Sequence, residues 1–208
     1  PRGRRVLTAR SVPLLDGRLL DLDIVGPERI AVVGPNGIGK TTLLRRLVDP
    51  DPNDAAPGTV ERFVPAGVLP QRMDLLDDAL TVAENAVALA PEVDANRVRA
   101  RLARFLFRGD AADRPVGTLS GGERFRATLA AVLLAEPPPQ LVVLDEPTNN
   151  LDFASIEVLV DALAGYEGAL LVVSHDEGFV DAIGIDRVLD LAAPDPLLPV
   201  PLSRPEGS

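Results

Sequence analysis

Arg29-Ile-Ala-Val-Val-Gly34-Pro-Asn-Gly-Ile-Gly39-Lys-Thr-Thr42 is the stretch that decides how this chain folds. Its first five residues form a compact apolar run of strand length, and Thr41 to Val48 continues as a helix stopped by Asp49-Pro50. Between them, Gly34 to Thr41 matches G-x-x-x-x-G-K-[ST] at every fixed position. Strand, glycine loop and helix in that order are what a phosphate-binding loop requires. The glycines let successive backbone N–H groups converge on phosphate oxygens, where a β-carbon would intrude. The helix beginning near Lys40 points its positive end at the same anion. Asn36, Gly37 and Gly39 are therefore expected to line the phosphates, with Lys40 reaching the β- and γ-phosphates and the Thr41 hydroxyl on Mg²⁺. Thr42 is expected to cap or pack beside them. The chain has 21 basic residues, yet its one lysine is Lys40.

Outward from this stretch, strand-like and helix-like runs alternate. Arg5 to Ala9 and Leu20 to Ile24 read as short strands parted by the turn-like Asp16-Gly17. Residues 49–58, rich in Pro, Asp, Asn and Ala, read as a loop, and Thr59 to Arg62 and Gly67 to Leu69 as strands. Val82 to Phe107 has a helical pattern, with a break near Pro91 and an apolar series at Val98, Leu102, Phe105 and Leu106. Gly121 to Ala135 is a further helix, begun by Ser120 and ended by Glu136-Pro-Pro-Pro139. Leu141 to Leu144 and Ala169 to Val173 are buried strands, Leu151 to Ala164 and Asp176 to Ala182 helices, and Arg187 to Leu191 a last strand. This alternation predicts an α/β domain around a mainly parallel sheet. One domain, 1–208, is expected: an α/β core at 1–75 and 138–191, an inserted helical subdomain at 76–137, and a Pro-rich tail at 192–208.

Other positions complete the chemistry. Leu141-Val-Val-Leu-Asp145-Glu146 is a strand ending in two carboxylates, where Asp145 can hold the Mg²⁺ shell and Glu146 can polarise an attacking water. Gln71, after Val68-Leu69-Pro70, either reaches the metal or water from its loop or is a plain surface residue. His175, the one histidine, either packs or bonds a γ-phosphate from its strand terminus. In Leu119-Ser-Gly-Gly-Glu123, Ser120 and Glu123 have the spacing of a capping box. Capping does not explain Gly121 and Gly122, which are poor in a first helical turn. Exposed N–H groups there would suit a second anion, and a dimer could clamp one nucleotide from both sides.

Composition removes other classes. With 208 residues and 46% apolar content the chain can bury a substantial core. It has no cysteine, which excludes disulfide scaffolding and thiolate zinc sites, and a single histidine excludes a histidine-rich metal site. Its apolar runs are strand-sized, too short to cross a bilayer. The start at Pro1 without a signal-peptide pattern suggests a fragment or processed form of a cytoplasmic protein. A net charge of −10 and a pI near 4.6 argue against strong direct binding to nucleic acid. Arginines do cluster, at Arg2, Arg4 and Arg5 and at Arg97, Arg99, Arg101 and Arg104. The second cluster is either the wet face of a helix or a partner-binding face.

Residues 4–191 resemble the nucleotide-binding domain of ATP-binding cassette (ABC) proteins. Gly34–Thr41 is similar to their Walker A motif, Gln71 to the Q-loop glutamine, Leu119–Glu123 to the signature, Leu141–Glu146 to Walker B with its catalytic glutamate, Asn150–Asp152 to the D-loop and His175 to the switch histidine. The resemblance implies a P-loop NTPase core of ABC type, with an N-terminal antiparallel β part and an inserted helical signature subdomain. It implies ATP and Mg²⁺ as cofactors, with Ser120, Gly121 and Gly122 acting on the nucleotide of a second cassette. Residues 119–124 and 144–152 look like the ABC-F class, whose members carry two cassettes and act on ribosomes in translation or antibiotic protection. The chain then resembles one cassette of such a protein, more the second than the first, its partner lying on the same polypeptide or in a homodimer. The alternative is the ATPase subunit of an ABC membrane transporter. Two departures stand out: Asn150 replaces the subgroup's usual histidine, and Val6 to Arg29 holds no aromatic ring to stack on adenine, leaving aliphatic groups near Val12 to Leu15.

Overall fold

Every strand of the central sheet comes from one of the compact apolar runs. The computed structural model describes residues 3–49, 58–69 and 75–197. In chain order these form β1 (Arg4–Pro13), β2 (Leu19–Gly26), β3 (Arg29–Val33), α1 (Lys40–Val48), β4 (Thr59–Arg62) and β5 (Ala66–Leu69). Then come α2 (Val82–Leu89), α3 (Ala95–Leu102), three short 3₁₀ turns between Ala103 and Thr118, and α4 (Gly121–Leu134). The chain closes with β6 (Leu141–Asp145), α5 (Phe153–Ala164), β7 (Ala169–Val173), α6 (Glu177–Ala182) and β8 (Arg187–Asp190). Five strands make a parallel sheet in the order β5-β6-β7-β3-β8, and three make an antiparallel sheet in the order β2-β1-β4. This is the α/β P-loop architecture with an N-terminal antiparallel sheet and an inserted helical part.

The parallel strands are buried on both faces, so their residues are apolar without interruption. In β6, Leu141 and Val143 face one cluster with Leu43, Leu44 and Leu47 of α1 and the inner residues of β1 and β2. Val142 and Leu144 face the other, with Val82, Leu102, Phe125 and Leu159. The helical insertion therefore closes over the same apolar interior as β6 and β7. Arg29 anchors the amino-terminal end of the sheet: its guanidinium donates to the carbonyls of Leu163 and Tyr166, each at 2.9 Å, and of Ile183, which end α5 and α6. The Leu163 carbonyl accepts from Tyr166 N as well, at 3.2 Å.

One helical expectation is corrected. The pattern from Val82 to Phe107 is not one helix with one break: α3 ends at Leu102, and Leu106 takes φ 66° after a 3₁₀ turn. Val98, Leu102 and Phe105 are buried as the series predicts, but Leu106 is 46% exposed. The left-handed residue turns the chain so that Phe107, not Leu106, enters the core.

Candidate functional site: a phosphate loop facing two carboxylates

The parallel strands deliver the site residues at their carboxyl ends, where α/β sheets bind ligands. Gly34 follows β3, Asp145 ends β6, and His175 stands two residues beyond β7. Within the loop, Gly39 caps α1 in the left-handed region at φ 105° and ψ 19°. A β-carbon there would lie 2.7 Å from Leu15 Cγ, so both backbone and space require glycine. Lys40 is buried, and its ammonium donates to the carbonyls of Gly34 (2.7 Å) and Pro35 (3.2 Å). Those bonds hold the charge over the loop and leave an ammonium donor for an anion.

Leu15, Asn36, Gly37 and Gly39 line one side of a cleft of about 270 Å³, with Lys40, Thr41 and Thr42 at its base. Asp145, Glu146 and Val173 close the other side. Asp145 Oδ1 is buried and accepts no hydrogen bond among the described residues. Such an orphaned oxygen is costly unless a ligand satisfies it, and in a cleft that Thr41 also lines it suits a hard cation. No three carboxylate or imidazole groups cluster to hold a metal among the described residues. An Mg²⁺ held here would take its remaining ligands from phosphate and water, as that ion commonly does.

Glu146 adopts φ 48°, unusual for a residue with a β-carbon. Its N–H donates to Val173 O at 2.8 Å, and its carbonyl accepts from Asn149 N at 3.2 Å. The turn it opens closes at Asn150, also left-handed at φ 62°. This backbone projects the Glu146 side chain, 15% exposed, to within 3.2 Å of His175 Nε2. Thus β6, β7 and the loop after β3 bring together Lys40, Thr41, Asp145, Glu146 and His175. Gln71 and Arg2 lie outside the described residues.

The signature segment stands apart from this cleft. Ser120 Oγ accepts from Glu123 N, and Glu123 accepts from Ser120 N at 2.8 Å, completing the capping box. The Ser120 amide and then the Arg114 guanidinium hold the Glu123 carboxyl down at about 2. The two glycines differ. A β-carbon on Gly122 would fall 2.5 Å from Asp152 Oδ2 and 2.8 Å from Ser155 Oγ, so close packing explains it. On Gly121 a β-carbon meets nothing. Ser120 and Gly121 are exposed and line no part of the cleft.

Two residues that sequence reading passed over tie this segment to the D-loop-like turn. Arg126, 11% exposed, donates to Ser155 Oγ at 2.8 Å, and that hydroxyl donates to Gly122 O at 3.3 Å. Asp152 caps α5 by accepting from Ser155 N at 2.7 Å. The four-residue step from Gly122 to Arg126, on one helix face, was the available signal.

A glycine phosphate loop facing a strand-borne carboxylate pair defines a P-loop nucleotide-hydrolase site. A family profile described as ABC transporter matches residues 18–149. The chain belongs to that family and carries its ATP-binding, ATPase-type domain. It is 35% identical over 196 residues to the "ATP-binding protein Uup" of Caulobacter vibrioides, covering 89% of this chain and 32% of that protein. Identity to "ABC transporter F family member 2" of Arabidopsis thaliana is 34% over 197 residues, covering 91% and 28%. The solved structure of "RNase-L Inhibitor" superposes with a TM-score of 0.73 at 31% identity, covering 91% of this chain and 37% of that one. The chain thus spans between 28% and 37% of these proteins' lengths. Among the described residues no helix is long and apolar enough to cross a membrane.

Proposed function

We propose that this chain is one ATP-hydrolysing cassette of an ABC-F-like factor that acts on the ribosome and works closed against a second cassette. The observation that carries the hydrolytic reading is the buried, unpartnered Asp145 Oδ1 beside Glu146 and His175, across one cleft from Lys40. Lys40 and the loop amides bind the β- and γ-phosphates, with Asn36, Gly37, Gly39 and Thr42 shaping the cradle. Thr41, Asp145 and Gln71 would hold Mg²⁺, which when bound screens phosphate charge and orients the γ-phosphoryl group. Glu146 orients the attacking water and accepts its proton, held for that task by its constrained backbone and by His175. His175, 48% exposed, can turn toward the γ-phosphate as well as toward Glu146. Adenine rests against Leu15, which packs on Gly39 at the rim of the cleft.

The second cassette is supported by what the cleft lacks. Its lining includes no residue of the signature segment, whose Ser120 and Gly121 are exposed. A triphosphate here stays open on one side, and the solvent-facing Ser120 and Gly121 of another cassette supply the missing donors. The ABC-F assignment is supported by residues 119–124 and 144–152, Asn150 excepted, and by likeness to the F family member and Uup. Measured with a partner cassette present, Glu146→Gln is expected to lower turnover at least ~100-fold while keeping Mg-ATP affinity. Lys40→Ala is expected to weaken that affinity instead. Undiminished hydrolysis by Glu146→Gln would remove the catalytic assignment. Copurification with ribosomes that depends on ATP supports the ribosomal reading, and copurification with a membrane subunit would replace it with transport.

A further inference from the structure

Arg97, Arg99, Arg101, Arg104 and Arg108 fall in a stretch, residues 95–109, that holds no acidic side chain, in a chain of net charge −10. The structure divides them. Arg99 forms a forked ion pair with Asp113. Arg97, Arg101 and Arg104 are spaced four and three apart, so they continue one ridge of α3 into the 3₁₀ turn after it. Among the described residues none of these three, nor Arg108, forms an ion pair or a side-chain hydrogen bond. Asp94 meets Arg97 only through its backbone N–H.

Arg101 and Arg104 border a groove of about 540 Å³ between the end of α3, the last turn of α4 and α5. Its floor is apolar: Phe105 and Val158 are buried, and Leu133 and Leu134 are half-buried. Asp161 stands on the α5 side. The groove shares no lining residue with the nucleotide cleft.

We propose that this groove docks an acidic amphipathic helix of a partner protein, its apolar face on the floor and its carboxylates against Arg101 and Arg104. Unpaired guanidinium groups call for carboxylate or phosphate. The apolar floor chooses between them, because it matches the side chains a helix presents at spacings of three and four and offers a phosphate backbone nothing. Asp161 and the net negative charge oppose a polyanion such as RNA more strongly than a helix carrying a few carboxylates. Arg97 and Arg108 extend the positive strip beyond the groove. Docking here is independent of the assignment of the ATP site.

Fluorescence anisotropy on the 208-residue chain tests the proposal with three labelled probes. These are a Leu/Glu amphipathic helix of about five turns, its Leu/Lys counterpart and a single-stranded RNA of similar length. The Leu/Glu helix is expected to bind, more weakly as salt rises, and the other two are not. In the Arg101→Glu/Arg104→Glu protein, affinity for the Leu/Glu helix is expected to fall about tenfold or more, and the Leu/Lys helix to become the better ligand. That reversal separates a change of charge from a loss of folding. Preference for RNA, failure of the Leu/Glu helix to bind, or binding indifferent to both reversals overturns it.

Discussion

Gly121 and Gly122 are adjacent in sequence and opposite in cause. Gly122 is glycine because Asp152 and Ser155 approach to within 2.5 and 2.8 Å of where its β-carbon would stand. Gly121 has open space around it, so nothing within this chain forbids a side chain there. Gly122→Ala is therefore expected to destabilise the domain by about 1–3 kcal/mol through overpacking. Gly121→Ala is expected to hold or raise stability, by up to about 1 kcal/mol from helix propensity, while impairing hydrolysis that depends on a second cassette. Thermal unfolding and partner-dependent turnover of both variants check this pair, and normal turnover by Gly121→Ala would detach Gly121 from catalysis. At this scale the sequence already showed that capping leaves both glycines unexplained. It did not show which one packing explains, because Asp152 and Ser155 reach Gly122 only through the folded chain.

The start of α4 also carries a pH dependence. Glu123 titrates near 2 instead of near 4.5, because the Ser120 amide and then Arg114 stabilise its charged form. A depressed folded-state value means that the stabilisation is complete above about pH 4.5 and is lost as the pH falls toward 2. The side chain is 26% exposed, so screening by water leaves about 1–2 kcal/mol. Urea unfolding of the protein and of Glu123→Gln is expected to differ by that amount near neutrality and to converge toward pH 2. A difference that persists undiminished in acid would assign the effect to packing. The capping box was legible because its partners are three residues apart. The early end of α3 was not, since the left-handed turn at Leu106 follows from where Phe107 finds buried space.

At the scale of the whole molecule, the proposed pairing makes the cleft one half of a site and the start of α4 half of another. Turnover per molecule is therefore expected to rise with protein concentration, or on adding a second cassette, until pairing saturates. Steady-state rates across a wide dilution series measure this, and a rate per molecule that never changes would mean that one chain suffices. The sequence by itself determined the α/β class and where its local motifs lie along the chain. Glycine loop, carboxylate-ended strand and capping box are local patterns whose parts lie within a few residues of each other. Only the tertiary structure decided that β7 lies between β6 and β3, setting Glu146 beside His175 and across the cleft from Lys40. It alone placed Leu15 on Gly39 and left Arg97, Arg101 and Arg104 unpaired while Arg99 found Asp113. Strands buried on both faces are apolar throughout, so no alternation in their sequence records which neighbour each will take.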